Sequence, residues 1–471
     1  MAIRALLLFT ISSILTLGSI GTAQEVGDKV VVMANYDTKI RDKVVGKVYA
    51  GGVHRVVAVD KSTKTAWCHL DNISGWVPLR IVKKLEAADK ELSESLKRNP
   101  NDADSLATRG LVRFEMNQAD QALIDFDRAR RLNPNSPIIL NNMGRVFNSQ
   151  NQYNQALAAF TEAIRLNPKF THAYFNRGLV YYSISDFPKA IKDYDMAIQL
   201  DKTDPWFFIN RGNAQHAQGE IAAALDSYAA AENLNGKIPE IFVGRSNVYL
   251  GQDKLQDAMA MANRAVELDP KDASALNTRG WIHYKMKDLQ KATDDLDKAI
   301  QLAPKLALPY TNRGVVYTEL KQYENAIKDF NRSLALQPAI AIVFINRGNV
   351  WMNSGDFAKA NEDYAKALEL APKIPESQAA LAWFLAACPD EKFRDGKKAV
   401  ELATKLCEDL KLADANHLHT LAAAHAETGN FEEAVKAGEQ AVAKATDDYK
   451  AAFEKDLKRL REKQPLRHEV N

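Results

Sequence analysis

A short word, Asn-Arg-Gly, returns along this chain at multiples of 34 residues. Stepping by 34 from its glycines reaches only small residues. This column contains Gly110, Gly144, Gly178, Gly212, Ser246, Gly280, Gly314, Gly348 and Ala382. A fixed pitch of this length predicts an array of identical supersecondary units, because each unit must meet its neighbours in the same way.

Three further columns keep the same pitch. Alanine stands 12 residues after the first eight small residues, and alanine or serine stands 19 residues after them. A large apolar residue usually lies between these two columns, and Ala262 is the exception. The large residues are Phe126, Phe160, Tyr194, Tyr228, Leu296, Phe330 and Tyr364. This spacing predicts two closely packed antiparallel helices per unit, with aromatic rings filling the space between units that must stack.

These columns resemble the tetratricopeptide repeat. The resemblance implies a mainly α fold, a right-handed α-solenoid of helix-turn-helix repeats. We expect a leading half repeat over 85–102, eight repeats over 103–374, and two divergent repeats over 375–445. Residues 446–471 form the expected capping helix and tail, because the end of a solenoid needs a polar face.

Five repeats place an aspartate 16 residues after the arginine that precedes the small column. The pairs are Arg109–Asp125, Arg177–Asp193, Arg279–Asp295, Arg313–Asp329 and Arg347–Asp363. Arg211 and Arg245 lack the acid. We predict half-buried ion pairs between the two helices of a repeat, which fix register more reliably than they add stability.

An asparagine precedes this arginine position in five repeats, as Asn142, Asn176, Asn210, Asn312 and Asn346. The resemblance implies that these side chains project to the inner face. In some tetratricopeptide solenoids, including that of the O-linked N-acetylglucosamine transferases, such a ladder holds the backbone of an extended partner. An amide suits this role because it offers a donor and an acceptor. The alternative is that the asparagines cap locally or face water.

Aromatic residues share the expected inner face. We predict that Phe175, Tyr182, Trp206, Trp281 and Tyr284 anchor an extended, partly apolar segment of a protein or peptide partner. The alternative is that they pack against neighbouring helices. The basic cluster with which chaperone-cofactor repeats bind a terminal carboxylate is missing, since Arg145 and Lys285 are the main bases there.

The chain begins with the layout of a secretory signal. Arg4 precedes an apolar run over 5–20, and small residues lead to Ala23. We expect residues 1–23 to be a signal peptide cleaved after Ala23, and the mature protein to be exported to the periplasm or beyond. The alternative is a retained membrane anchor, which the shortness of the run disfavours.

Residues 24–84 are rich in valine and lack a helical period. The order that ends in Gly75, Trp76 and Val77 resembles bacterial SH3-like barrels. The resemblance implies a small all-β barrel, of a kind that binds peptide or cell-wall glycan. Trp67 and Trp76 are expected in its core more than on its surface.

No feature of the sequence predicts catalysis, a cofactor or a metal. The 62 Lys+Arg against 60 Asp+Glu do not favour a nucleic-acid partner. His417 and His419 point to different sides of a helix, so they and His425 are a poor metal site. Cys388 and Cys407 are expected about 15 Å apart along antiparallel helices, too far for a disulfide.

The sequence therefore favours a non-enzymatic, exported interaction scaffold, and its layout resembles exported tetratricopeptide proteins of planctomycete bacteria. The alternative is a cell-envelope module whose SH3-like barrel binds peptidoglycan or peptide, with the repeats as a spacer.

Overall fold

The computed structural model describes residues 29–32, 36–40, 43–48, 53–60, 67–70, 76–78, 82–409 and 414–470. The chain divides into two compact units. The N-terminal unit is Met1–Gly236 and the C-terminal unit is Lys237–Asn471. The expected signal peptide at 1–23 lies outside the described residues and stays a prediction.

In the described part of the chain, seven short strands precede the helices. They are β1 (Lys29–Val32), β2 (Tyr36–Ile40), β3 (Lys43–Val48), β4 (Val53–Asp60), β5 (Trp67–Leu70), β6 (Trp76–Pro78) and β7 (Val82–Lys84). All neighbours pair antiparallel, in the order β3-β2-β6-β5-β4-β1-β7. This segment is therefore β-rich, as predicted. The SH3-like barrel stays a prediction, because Gly75 and the other residues that connect the strands lie outside the described ranges.

The rest of the N-terminal unit consists of nine helices in its described residues. They are α1 (Leu85–Arg98), α2 (Ala103–Glu115), α3 (Ala119–Leu132), α4 (Pro137–Ser149), α5 (Tyr153–Leu166), α6 (Thr171–Ser183), α7 (Phe187–Leu200), α8 (Pro205–Gln218) and α9 (Ile221–Asn235). From α2 onward they form pairs, and the first helix of each pair packs against the second.

The C-terminal unit continues the same alternation. Its helices are α10 (Pro239–Gly251), α11 (Leu255–Leu268), α12 (Ala273–Lys285), α13 (Leu289–Leu302), α14 (Ala307–Glu319), α15 (Tyr323–Leu336), α16 (Ala341–Ser354), α17 (Phe357–Leu370), α18 (Pro375–Ala387), α19 (Gly396–Asp409), α20 (Ala415–Glu427), α21 (Phe431–Lys444) and α22 (Asp447–Arg461). A 3₁₀ turn, Glu391–Phe393, lies between α18 and α19.

The turn inside each repeat contains one residue with a left-handed backbone. These residues also recur every 34 positions: Asn117, Asn151, Ser185, Gly219, Asp253, Lys287, Lys321 and Gly355. Only two of the eight are glycine, although the left-handed region favours that residue. The backbone path, more than the residue type, is therefore what the repeats share at this turn.

The small column lies where the two helices of a repeat cross. A β-carbon added to Gly144 would lie 2.6 Å from the Phe160 ring, and one added to Gly178 would lie 2.7 Å from the Tyr194 ring. The predicted close approach is confirmed. Phe160 also packs in one cluster with Val180 of the following repeat. The rings therefore fill space within a repeat as well as between repeats.

Two of these rings carry a hydroxyl that donates a hydrogen bond to the asparagine directly after the small residue of the same repeat. Tyr228 donates to Asn213, and Tyr364 donates to Asn349, each at 2.7 Å. In the repeat of Tyr194 the corresponding residue is Leu179, and the buried Tyr194 hydroxyl has no hydrogen-bond partner. Burial raises the pKa of Tyr194 well above its usual value.

We therefore expect Tyr194→Phe and Tyr228→Phe to have different effects on the free energy of unfolding. Removing the unpaired Tyr194 hydroxyl leaves stability unchanged or raises it, because a buried polar group without a partner is itself costly. Removing the Tyr228 hydroxyl leaves Asn213 unpaired and lowers the free energy of unfolding by about 0.5–1.5 kcal/mol. Urea unfolding of the two variants measures the difference. A loss at Tyr194 as large as at Tyr228 would contradict this account.

The predicted ion pairs between helices are confirmed in all five repeats. Each arginine donates from Nε and Nη2 to both oxygens of its aspartate, at 2.6–2.8 Å. Nη1 donates in the opposite direction, to a residue 16 positions earlier on the preceding helix. These acceptors are Ser93, Thr161, Asn263, Asp297 and Asn331. One guanidinium thus joins three successive helices. Its planar arrangement of N–H donors is suited to bidentate contacts of this kind.

Candidate partner-binding surface

The five asparagines lie on first helices, and three of them are buried. Asn176 donates to Asn141 of the preceding first helix, and Asn312 donates to Asn277 in the same way, at 2.9 Å in both pairs. These bonds link consecutive repeats. Because each pair is at most 9% exposed, the amides serve the protein's own packing in this structure. Their predicted contact with a partner backbone stays a prediction.

The other three asparagines differ from each other. Asn142 is 1% exposed, and neither its oxygen nor its nitrogen has a hydrogen-bond partner. Asn210 donates to the carbonyl of Trp206 on its own helix. Asn346 is half-buried. Asn210 and Asn346 are therefore the two members of the ladder with partly accessible side chains.

The five predicted aromatic anchors also separate by burial. Phe175 packs between Tyr194 and Phe207 in the core of the N-terminal unit. Trp206 is half-buried against the same cluster. Tyr182, by contrast, is 37% exposed near the end of α6. Packing against neighbouring helices thus describes Phe175 in this structure, whereas Tyr182 presents an accessible ring.

The aromatic pair on α12 is more open. Trp281 and Tyr284 are both half-buried, and their rings stack with centroids 4.9 Å apart. Lys287 lies over the Tyr284 ring, with its ammonium 5.9 Å from the ring centroid. Burial raises the pKa of Tyr284, so its hydroxyl stays protonated and able to donate. This pair offers apolar surface beside Lys287, which is itself paired with Glu319 at 3.1 Å.

A feature that the sequence did not predict is an extended segment on the first helices of the C-terminal unit. After α22, residues 464–470 run without regular structure. The backbone nitrogen of His468 donates to the carbonyl of Ala387 at 2.8 Å, and its ring Nε2 donates to Asn353 Oδ1 at 2.8 Å. Arg467 pairs with Glu427 at 2.6 Å. We call residues 464–470 the tail.

The three residues that receive the tail occupy equivalent places. Asn353 is the penultimate residue of α16, Ala387 ends α18, and Glu427 ends α20. The side chain of Leu466 is 2% exposed and packs in a cluster that includes Met352. The tail therefore crosses the C-terminal ends of three consecutive first helices. The tail lies outside the 34-residue period and is too short for a pattern of its own, so Leu466 is the one buried apolar residue that could have pointed to this contact.

In the described residues of the N-terminal unit, the end of a first helix also forms ion pairs. Glu115, the last residue of α2, pairs with Lys29 at 2.9 Å and with Arg145 of the next first helix at 3.2 Å. Arg145 is 4% exposed and lies 5.3 Å from the Phe114 ring centroid. Burial lowers the pKa of this guanidinium. The sequence predicts Arg145 on the inner face. In the structure its guanidinium is buried, paired with Glu115 and packed against the Phe114 ring.

One histidine of the divergent repeats packs inside the fold. His419 stacks between Trp383 and Phe453 and contacts Asp456 at 3.0 Å. Among the residues described, no group of His, Cys, Asp and Glu could hold a metal ion. Cys388 is buried and Cys407 is half-buried, both as free thiols, and burial raises the pKa of each. In the described ranges, no helix is both long and apolar enough to span a bilayer.

Comparison with known structures finds the same kind of fold at low identity. The crystal structure of the APC/C hetero-tetramer Cut9-Hcn1 is 13% identical, covers 80% of this chain and 93% of that chain, and has a TM-score of 0.50. The crystal structure of yeast Tom70 is 14% identical, covers 76% of this chain and 95% of that chain, and has a TM-score of 0.40. Comparison with curated protein sequences gave no match.

Sequence models of repeat families match this chain directly. A model described as TPR repeat matches residues 144–185 and 178–219. Models described as tetratricopeptide repeat match residues 246–308, 307–339, 341–374 and 415–446. These ranges fall on the helix pairs of both units. Since these models together match about half of the chain, this is a protein of the tetratricopeptide repeat family.

Proposed function

We propose that this protein is a non-enzymatic scaffold that binds an extended segment of a partner protein along the first helices of its repeats. The observation that carries the proposal is the tail. It shows the chemistry that first-helix ends offer to an extended chain: a backbone carbonyl at Ala387, an amide at Asn353, a carboxylate at Glu427 and an apolar site for one side chain. Recognition of an extended segment by these four means needs no enzyme chemistry.

The first helices elsewhere offer accessible apolar surface for the same purpose. Tyr182 is exposed on α6, and the stacked Trp281 and Tyr284 are half-exposed on α12. Large aromatic side chains are favoured anchors in interfaces because they bury much area at little cost in conformational entropy. The neighbour with a similar fold, Cut9-Hcn1, is a hetero-tetramer, and a scaffold role for this protein is compatible with that.

Alanine at Trp281 tests the proposal. A partner anchored on the α12 pair should be lost from affinity capture on the purified protein, or its Kd should rise at least about tenfold, since anchor residues cost about 2 kcal/mol or more. The melting temperature should change little, because Trp281 is half-exposed and stacks on one ring.

Leu302→Ala is the matched control. Leu302 is 44% exposed, but it ends α13, a second helix. We expect capture by this variant to equal that of the unmodified protein. Trp206→Ala should lower the melting temperature more than Trp281→Ala, because Trp206 packs on a core cluster. Unchanged partner binding by Trp281→Ala would overturn its assignment as an anchor.

A further inference from the structure

The tail lies on the protein through specific contacts as well as through its one apolar side chain. Arg467 donates from Nη2 to Glu427, and from Nη1 to the Ala386 carbonyl at 3.3 Å. Glu427 uses its other oxygen to accept from Arg394 at 2.8 Å. One carboxylate therefore sits between two guanidinium groups, and it is only 15% exposed. Such a half-buried, charge-assisted contact discriminates between a basic and an acidic segment.

The next residue adds a second point of recognition. The backbone and ring of His468 bind two different first helices, α18 and α16. Burial lowers the pKa of His468, so the neutral ring is favoured near pH 7 and its Nε2–H faces the Asn353 oxygen. Together with the buried Leu466, the tail reads as an apolar residue, a base and a hydrogen-bond donor in sequence.

These contacts occupy the place that the proposed function assigns to a partner. We propose that the ends of α16, α18 and α20 form a docking surface for an extended partner segment in which an apolar residue is followed directly by arginine. The tail fills this surface in the free protein, so a partner must displace it. The proposal rests on the proposed function and specifies the partner chemistry for one region of it.

Charge complementarity supports this choice of occupant. The surface presents the Glu427 carboxylate, the Asn353 amide oxygen and the carbonyls of Ala386 and Ala387, all of which accept hydrogen bonds. An acidic segment would meet these four acceptors, and the nearby Arg394 already donates to Glu427 and to the carbonyls of Cys388 and Pro389. An arginine following an apolar residue satisfies the carboxylate and a carbonyl with one side chain, as Arg467 does.

Truncation and a peptide test the proposal. We would compare the full chain with a chain that ends at Lys463, using as probe a fluorescein-labelled peptide with the sequence of residues 464–471. Fluorescence anisotropy gives the Kd. The truncated chain should bind the peptide at least tenfold more tightly than the full chain, because the surface is then open. The same peptide with glutamate in place of its arginine should bind at least tenfold more weakly.

Two substitutions in the truncated chain locate the peptide. Glu427→Gln should weaken binding of the peptide at least tenfold, since Glu427 receives the arginine. Glu433→Gln is the matched control, because Glu433 lies on α21 and pairs with Lys436 on its own helix. It should leave the Kd unchanged. Equal weakening by both variants, or equal binding of the two peptides, would overturn the proposal.

The truncated chain loses Leu466 and could unfold locally around α18. For that case Arg467→Ala in the full chain keeps the leucine and removes the charged contact. This variant should bind the labelled peptide more tightly than the unmodified chain. If neither the truncated chain nor Arg467→Ala binds the peptide more tightly, the proposal is overturned. A full-length dimer that becomes a monomer on truncation would also overturn it, because the tail would then be an arm exchanged between copies.

The outcome is separable from that of the Trp281 experiment. Trp281 lies on α12, whereas the tail contacts α16, α18 and α20. If Trp281→Ala retains its partner but the peptide binds the truncated chain, then the anchor on α12 fails and the docking surface stands. If the peptide does not bind but Trp281→Ala loses its partner, then the tail is only part of the fold's own packing.

Discussion

Gly178→Leu should lower the free energy of unfolding by at least about 1–3 kcal/mol, whereas Gly236→Leu should change it little. A β-carbon at Gly178 would already lie 2.7 Å from the buried Tyr194 ring. At Gly236 the nearest atom is the Glu232 carbonyl oxygen at 3.4 Å, and the backbone there has a φ of −72°, which any residue adopts. Leucine thus has space at one position and none at the other.

Thermal unfolding followed by circular dichroism measures this pair, and hydrogen exchange shows where the loss falls. Because repeats contact mainly their neighbours, faster exchange should be confined to α6, α7 and the adjoining helices. Gly178→Ala should give a smaller loss of the same kind. Equal melting temperatures for the two leucine variants would show that the small column is not the place of closest helix approach.

Asp125→Ala should be the most destabilising single change at an ionic site, with a cost of about 3–5 kcal/mol. Asp125 is 1% exposed and accepts from Arg109 and Arg113. Removing it takes the shared carboxylate from Arg109 and Arg113, and leaves Arg113 with Asp89 as its acidic partner. The Asp125 hydrogen bond raises the pKa of Arg109, and even without this bond an arginine keeps its charge near pH 7, so the half-buried charge is left without its partner.

Asp127→Ala is the matched control, two residues away on the same helix. Asp127 is paired only with the exposed Arg130 and Arg131 in the described contacts, and such surface pairs contribute about 0–1 kcal/mol. Chemical denaturation of both variants gives the comparison. If the two changes cost the same, then the arginine network contributes no more than surface charge.

The repeat period predicts most of the helical fold, for a physical reason. Glycine against a ring and arginine against aspartate recur because each repeat solves the same packing problem, so one spacing predicts every copy. The contact of Arg177 with Thr161 follows the same rule in the other direction. The second helix α7 thus carries Asp193 and Asp195 two residues apart. Asp193 accepts from Arg177 of its own repeat, and Asp195 accepts from Arg211 of the next repeat. That signal was available in the sequence and was missed.

The binding surface was less predictable, because accessibility depends on how successive repeats approach. Phe175 and Tyr182 lie on one helix, yet the first is 9% exposed and the second 37%. The asparagine ladder has the right period, but Asn176 finds Asn141 of the preceding repeat, a contact that no single repeat contains. The tail adds a partner from outside the period altogether. Local patterns predict the helices, whereas these contacts depend on the assembled whole.

The arginine network also has a consequence for how such a chain can change its length. Each guanidinium reaches 16 residues back and 16 residues forward. A deletion or duplication of one whole repeat returns an acceptor to both distances, so the junction resembles every other junction. A gain or loss of any other length leaves the arginine opposite an unsuitable residue on the side where the change falls. Unequal recombination within the gene could therefore add or remove entire repeats with little harm, while small insertions would be tolerated only where the network is interrupted, as at the turn Glu391–Phe393.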